Sequence, residues 1–175
     1  MKKIISVLLV LMLLCSFALA KEGLTQFTTQ DISGGTENPV MVSQDIFAPY
    51  DLTMVNVWAT WCGYCVKEMP ELAKLKDMLP ENVNLISICD DAADEPELVQ
   101  MILETSGATN FPTLLPSEEM YPQLLGYVYS FPTTYFLDSK GEAVGYITGV
   151  PSMENVAEAY LQIIDKALNM LETQV

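Results

Sequence analysis

The chain has 175 residues, enough for one domain with a sizeable core and too few for two comfortable ones. Half of the residues are hydrophobic, which excludes a largely disordered protein. The 23 acidic residues outnumber eight lysines with no arginine, which argues against nucleic acid or an anionic membrane surface as a partner and indicates a strongly solvated exterior.

The first twenty residues have the pattern of a secretory signal peptide. Two lysines near the start precede the apolar run Ile4–Leu14, and Ala18–Ala20 offers small residues for cleavage. We therefore predict a signal peptide over residues 1–20, cleaved after Ala20, and one domain over residues 21–175. Because the apolar run is shorter than the roughly 20 residues of a membrane span, an uncleaved, membrane-anchored form is only the alternative.

The elements that follow alternate between strand and helix before a final hairpin and helix. Leu52–Ala59 and Asn82–Cys89 are nearly continuous apolar runs, typical of strands buried on both faces. The segment Cys62–Leu79 repeats apolar residues every three or four positions, which indicates a helix. The predicted elements begin with a hairpin turning near Ser33–Gly35, an edge strand at Val40–Val42 and a turn at Gln44–Phe47. The central part comprises strand Leu52–Ala59, helix Cys62–Leu79 kinked at Pro70, strand Asn82–Cys89 and helix Glu95–Thr105 capped by Asp94. An extended piece Asn110–Leu115, a helical turn Met120–Leu125, strands Thr133–Asp138 and Glu142–Thr148, and a last helix capped by Ser152 complete the chain.

This order predicts an α/β fold whose central mixed sheet combines a parallel crossover unit with antiparallel strands and is flanked by helices. No repeat or linker divides it.

Cleavage at Ala20 would leave six lysines, a formal charge of −17, and three cysteines, of which Cys62 and Cys65 are separated by two residues. A pair at this spacing meets on the first turn of the helix, where free N–H groups and the helix dipole favour a thiolate at Cys62. Such a thiolate attacks a disulfide to form a mixed disulfide, which Cys65 resolves. The third thiol, Cys89, ends a strand at the same edge of the sheet, and we interpret it as a packing residue.

Other uses of the pair lack the residues that they need. A zinc site requires four ligands, and the chain has neither histidine nor a second Cys-x-x-Cys. Haem attachment requires histidine directly after Cys65, where Val66 stands. A peroxide-reducing cysteine enzyme usually relies on an arginine beside the thiolate, and the chain contains no arginine. We therefore predict no metal and no dissociable cofactor, with the disulfide itself as the redox centre.

The segment Val57–Leu72 resembles the active-site region of thioredoxin-like proteins and, within them, the TlpA/ResA family of exported disulfide reductases. Phe131–Asp138 (FPTTYFLD) is similar to the segment in which that family carries a cis-proline. The resemblance covers nearly all of residues 24–172. It implies a thioredoxin-like fold with an N-terminal β-hairpin extension.

Roles for individual residues follow from the resemblance. Pro132 would be the cis-proline, and the backbone of Phe131 would pair with an extended substrate segment. Glu68 matches a glutamate implicated in proton handling between the cysteines. Trp61 would shield the disulfide and offer a contact face for substrate, beside Tyr64.

Two positions depart from related patterns. Asn56 stands where thioredoxin has a buried aspartate, and because asparagine does not titrate, the proton handling shifts to Glu68. Tyr64 stands where many reductases of this fold have proline, which frees an N–H near the sulfurs and favours a more oxidising pair.

The sequence thus predicts an extracytoplasmic thiol–disulfide oxidoreductase of the periplasm or cell envelope, acting as a monomer on protein thiols and disulfides. A reductase is the leading hypothesis, with apocytochrome c, a methionine sulfoxide reductase or general disulfides as clients and a membrane thiol-electron transporter as reductant. A disulfide-forming oxidase is the alternative. A copper-binding module on the same fold is disfavoured because the chain contains no histidine, and a non-redox binding module would leave the cysteine pair unexplained.

Overall fold

The computed structural model describes residues 23–35 and 39–173, and the predicted signal peptide lies outside these residues. Within them, the strands form one sheet in the order β2-β1-β5-β4-β3-β6-β7. Strands β3, β4 and β5 are mutually parallel, and the remaining pairings are antiparallel. The strands are β1 (Thr28–Asp31), β2 (Val40–Ser43), β3 (Leu52–Trp58), β4 (Val83–Cys89), β5 (Thr113–Leu114), β6 (Thr133–Asp138) and β7 (Ala143–Thr148). The predicted mixed sheet and N-terminal hairpin are confirmed.

Three α-helices accompany the sheet in the described part of the chain. They are α1 (Gly63–Met78), which continues through Pro70, α2 (Pro96–Ser106) and α3 (Val156–Glu172). Single 3-10 turns occur at Gln44–Ile46, Glu118–Met120 and Leu125–Tyr127. None of the helices in residues 23–35 and 39–173 is long and apolar enough to cross a membrane.

The core has two parts, one on each face of the sheet. The helix-side core contains the buried residues of all three α-helices, such as Leu72, Ile102 and Ile164. The loop-side core is instead covered by irregular segments and 3-10 turns, including Phe47 and Leu124. Every residue of β3 and β4 is buried, because alternate side chains enter the two cores. Burial on both faces therefore explains the continuous apolar pattern of these two strands.

Two predicted helix caps are wrong. Helix α2 begins after Glu95, which makes no side-chain capping bond, and Asp94 lies outside it. Proline at the first helical position has no N–H to satisfy, so the need for a capping side chain is reduced. Ser152 Oγ does accept the N–H of Asn155 at 3.2 Å, but α3 starts only at Val156. The serine therefore closes a turn ahead of the helix.

Candidate active site

The cysteine pair forms a disulfide where β3 gives way to α1. Cys62 is the residue that precedes the helix, and Cys65 lies in its first turn, with Cα atoms 5.2 Å apart. The N–H of Cys65 donates to Cys62 Sγ at 3.2 Å. Cys62 is 7% exposed, whereas Cys65 is completely buried. Of the two residues, only Cys62 retains exposed surface.

The loop before the pair is held by the neighbouring strand β4 and the residues that follow it. Trp58 at the end of β3 is fully buried, as predicted, and its indole N–H donates to Ser87 Oγ at 3.2 Å. Asp91, just beyond β4, accepts the N–H of Thr60 at 2.9 Å and also its hydroxyl. These bonds fix the chain that carries Cys62 relative to the sheet.

Glu68 lies one helical turn beyond Cys65 and is 1% exposed, inside the helix-side core. Its two carboxylate oxygens accept hydrogen bonds from different elements. Asn56 Nδ2 of β3 donates to Oε1 at 3.0 Å, and the Tyr160 hydroxyl of α3 donates to Oε2 at 3.2 Å. The glutamate is thus a buried group and not the solvated surface residue that its place in the helix would otherwise suggest.

Thr134 of β6 closes these bonds into a ring of four side chains. Its hydroxyl oxygen lies 3.1 Å from Asn56 Nδ2 and 3.1 Å from the Tyr160 hydroxyl. When Asn56 donates to Glu68 and Thr134, Thr134 donates to Tyr160, and Tyr160 donates to Glu68, every donor is used and both carboxylate oxygens accept. We call Asn56, Glu68, Thr134 and Tyr160 the glutamate ring.

Burial brings the pKa of Glu68 close to neutrality. Burial raises the pKa of Glu68 to about 7, against the opposing effect of the hydrogen bonds from Asn56 and Tyr160. Burial also raises the pKa of Tyr160 above its ordinary value, with the neighbouring Glu68 charge acting in the same direction, so Tyr160 remains a donor. A carboxyl group with a pKa near 7 can accept or release a proton at physiological pH.

The Phe131–Pro132 peptide bond is cis, as the sequence predicts, and Pro132 is buried. Pro132 is tied to the end of β7 because its carbonyl accepts the N–H of Gly149 at 2.7 Å. The ring of Phe131 meets the ring of Trp61 edge-on, with centroids 5.4 Å apart. The cis-proline segment therefore adjoins the loop that carries the cysteines.

Trp61 and Tyr64 form the exposed part of the site. Their exposed fractions are 71% and 62%, high for aromatic residues, and the ammonium of Lys67 lies 5.9 Å from the Tyr64 ring centre. Aromatic side chains with one face in water are typical of protein contact surfaces. Both side chains are exposed at the loop and first helical turn that carry the cysteine pair.

Cys89 lies at the same edge of the sheet, opposite Trp58 in the β3–β4 register. It is fully buried and its thiol donates to Asp91 Oδ1 at 3.3 Å. Burial, followed by the neighbouring Asp91, raises the pKa of the Cys89 thiol well above its ordinary range. This environment agrees with the packing role predicted from the sequence.

Sequence reasoning did not find two members of the site, Thr134 and Tyr160. A signal did exist, because Asn56 in a wholly apolar strand and a tyrosine hydroxyl on a buried helix face both require hydrogen-bond partners. Among residues 23–35 and 39–173, no group of three or more Cys, Asp or Glu side chains is placed to bind a metal ion.

Comparison with known proteins agrees with this geometry. Residues 18–163 match the Redoxin family model. The chain is 34% identical to the Thioredoxin-like protein YneN of Bacillus subtilis over 50% of its length, and it spans about half of that relative (51%). It is 29% identical to the Thiol-disulfide oxidoreductase ResA of Halalkalibacterium halodurans, covering 85% of this chain and 79% of that protein.

A crystal structure of a thioredoxin-family thiol:disulfide interchange protein from Chlorobium tepidum shares the fold. It superimposes with a TM-score of 0.67 at 21% identity, covering 85% of this chain and 97% of the other. The chain therefore belongs to the Redoxin family and has a thioredoxin-like fold, and the proteins to which it is similar include ResA thiol-disulfide oxidoreductases.

Proposed function

We propose that this protein reduces disulfides of exported proteins by exchange with its Cys62–Cys65 pair. The observation that carries the proposal is a disulfide in which Cys62 retains some exposed surface and Cys65 none, with the buried Glu68 one turn further along the same helix. Cys62 begins the reaction, and Cys65 completes it one helical turn from a group whose pKa is about 7.

Each step can be written in full. The Cys62 thiolate attacks one sulfur of the client disulfide, forming a mixed disulfide and releasing the other client sulfur as a thiolate. Cys65 then transfers its proton to Glu68 and attacks Cys62 Sγ, which forms the Cys62–Cys65 disulfide and releases the second client sulfur. The client gains two electrons, and the two released thiolates take up protons, one of them through Glu68.

Client binding is assigned to the exposed surface around the pair. An extended client segment would pair with the backbone of Phe131 beside the cis-proline Pro132, while Trp61 and Tyr64 contact its side chains. The edge-on contact between Trp61 and Phe131 supports this assignment, because it joins the backbone edge and the cysteine loop into one surface.

The protein acts outside the cytoplasm, as a monomer and without a dissociable cofactor. The predicted signal peptide and the similarity to ResA support an extracytoplasmic place. Electrons would come from a membrane thiol-electron transporter, as the resemblance to the TlpA/ResA family implies. Apocytochrome c, a methionine sulfoxide reductase or a general pool of disulfides remain the candidate clients.

The presence of Tyr64 instead of proline favours the alternative function, in which the protein forms disulfides in its clients. If its N–H raises the reduction potential, replacing Tyr64 with proline should lower that potential, measured by equilibration with glutathione or dithiothreitol buffers. A pair that is found mostly reduced in cells supports the reductase. A pair found mostly oxidised, with a high potential that falls in the Tyr64→Pro variant, supports the oxidase.

The function is tested with a Cys65→Ser variant of the full-length protein, expressed in its own cell envelope. Without the resolving thiol, clients should remain attached to Cys62 as mixed disulfides that dithiothreitol releases. Cys62→Ser is the matched control and should capture nothing, and Cys89→Ser combined with Cys65→Ser should capture the same set. Failure of Cys65→Ser to capture any client would contradict exchange with protein disulfides.

A further inference from the structure

We propose that a pocket lined by tyrosines next to the cis-proline segment binds a lysine or arginine side chain of the client protein. This inference rests on the proposed function, because it concerns how that client is recognised. The pocket lies outside the glutamate ring and uses none of the residues assigned above to exchange.

The pocket is a cavity of about 170 Å³. Four tyrosines line it, Tyr127, Tyr129, Tyr135 and Tyr146, and we call it the tyrosine pocket. Its volume suits a single amino-acid side chain, since sites for drug-sized ligands and cofactors run from roughly 300 to 1,000 Å³. The cavity size thus points to part of a peptide as its occupant.

Strand register builds the floor and one wall. Tyr135 of β6 lies opposite Tyr146 of β7, and their rings are 5.4 Å apart between centroids with an interplanar angle of 34°. Tyr135 is only 1% exposed and forms the floor, whereas Tyr146 is 60% exposed. The segment before the cis-proline supplies the other wall, where Tyr127 and Tyr129 are 47% and 90% exposed. Three accessible rings therefore surround one buried ring.

The chemistry of this lining favours a cation. Aromatic faces carry negative electrostatic potential and attract ammonium and guanidinium groups. The lining residues are tyrosine, serine and threonine, with no positive charge among them. Moreover, the chain as a whole carries 23 acidic residues against eight lysines, so its field draws cations towards the surface and repels anions.

The tyrosine pocket is joined to the exchange site through two of its lining residues. Ser130 and Thr133 line it and flank Phe131 and Pro132, and the Thr133 hydroxyl donates to the Ser130 carbonyl at 2.8 Å. A client segment that pairs with Phe131 beside Cys62 therefore runs past the mouth of the pocket. A basic side chain a few residues from the client cysteine can then enter it.

The test uses the reduced protein and symmetrical disulfide dimers of a short neutral peptide with one cysteine. Arginine, or its uncharged isostere citrulline, is placed in turn at each position from three before to three after the cysteine. Second-order oxidation rates should favour arginine about three- to tenfold at one position. Attraction by the overall charge would instead favour arginine at every position and disappear at high salt, where surface charges are screened. A flat, salt-sensitive profile therefore overturns the proposal.

Variants then assign the preference to the rings. In Tyr146→Leu the arginine-to-citrulline rate ratio at the preferred position should fall to that of the other positions. Tyr146→Phe keeps the aromatic face and should keep the ratio, and Tyr121→Leu, which replaces an exposed tyrosine outside the pocket, should leave it unchanged. Loss of the ratio in Tyr146→Phe would overturn binding by the ring face. If the reduced protein reduces neither the peptide disulfides nor the small disulfide dithiodipyridine, the proposed function itself fails, whereas reduction of the peptides without any positional preference removes only the tyrosine pocket.

Discussion

Cys65 and Cys89 are both fully buried cysteines with an acidic residue shortly after them in the chain, Glu68 and Asp91, but the pKa values of the two carboxyl groups are shifted in opposite directions. Burial dominates at Glu68 and raises its pKa to about 7. Asp91 is less buried, and although burial alone would raise its pKa, hydrogen bonds from the Thr60 side chain and N–H and from Cys89 together hold it below the ordinary value. One carboxyl group can exchange protons at neutral pH, and the other remains a fixed anion.

The comparison shows how the same two chemical groups, a cysteine thiol and a carboxyl group, have different chemistry in two places of one fold. A permanently charged Asp91 beside Cys89 opposes formation of a second thiolate and anchors the Thr60 loop. A titrating Glu68 beside Cys65 can take the proton whose removal the resolving step requires. The redox-active Cys65 therefore differs from Cys89 in the titration of the nearby carboxyl group as well as in having a partner sulfur.

The largest expected effect is on the rate of the resolving step when Glu68, the proposed proton acceptor, is replaced. Oxidation of the reduced protein by dithiodipyridine releases one thiopyridone when Cys62 attacks and a second when Cys65 resolves the mixed disulfide. Glu68→Gln should slow the second release about 100-fold at pH 7 and leave the first nearly unchanged. In the parent protein the second rate should rise with pH as Glu68 loses its proton, around pH 7.

Glu71→Gln, on the same helix with its side chain paired to Lys74, is the matched control and should behave like the parent. Equal second-phase rates in Glu68→Gln and Glu71→Gln would contradict the role of Glu68.

The raised pKa of Glu68 should also make the stability of the fold depend on pH. The pKa of Glu68 in the folded disulfide form, about 7, exceeds its value of 4.5 in the unfolded chain, so the folded state binds more protons between these values. The Glu68 contribution to the free energy of unfolding therefore falls as pH rises from 4.5 to 7, by about 3 kcal/mol at most. Urea unfolding at pH 5 and pH 8 should show this loss in the parent and not in Glu68→Gln. A parent protein that gains stability from Glu68 over the same interval would refute the burial argument.

A smaller effect is expected from the donor on α3. Tyr160→Phe removes a hydrogen bond to the Glu68 carboxylate, so the pKa of Glu68 should rise further and the pH midpoint of the second release should move up by about one unit. Loss of packing alone would lower stability without moving the midpoint. Tyr121→Phe, which removes an exposed hydroxyl outside the site, is the control and should leave the midpoint in place.

The smallest effect is expected at the fixed anion. Asp91→Asn removes the charge that accepts from Thr60 and Cys89, and it should destabilise the fold by about 1 kcal/mol, measured by urea unfolding. The pH midpoint of the second release should stay at the parent value, because Asp91 is not part of the glutamate ring. A shifted midpoint in Asp91→Asn would show that the two carboxylates are coupled.

Much of the fold could be predicted from local pattern. The continuous apolar runs of β3 and β4 and the periodicity of α1 are consequences of burial on two faces and on one face, and both are visible in residue order. The caps of α2 and α3 could not be predicted in the same way. Whether Asp94 or Ser152 caps a helix depends on where the backbone first turns helical, which tertiary packing decides.

The same division holds at the site. By itself the sequence determined the cysteine pair and its position at a strand-to-helix junction, because both depend on neighbours within a few residues. The resemblance of the sequence to the TlpA/ResA family added the cis bond before Pro132 and the candidacy of Glu68. Only the tertiary structure decided that Asn56, Thr134 and Tyr160, from three separate elements, enclose Glu68 and that burial outweighs their hydrogen bonds. The pKa of a carboxyl group is set by everything packed around it, and Glu68 and Tyr160, 92 positions apart in the chain, meet only after folding.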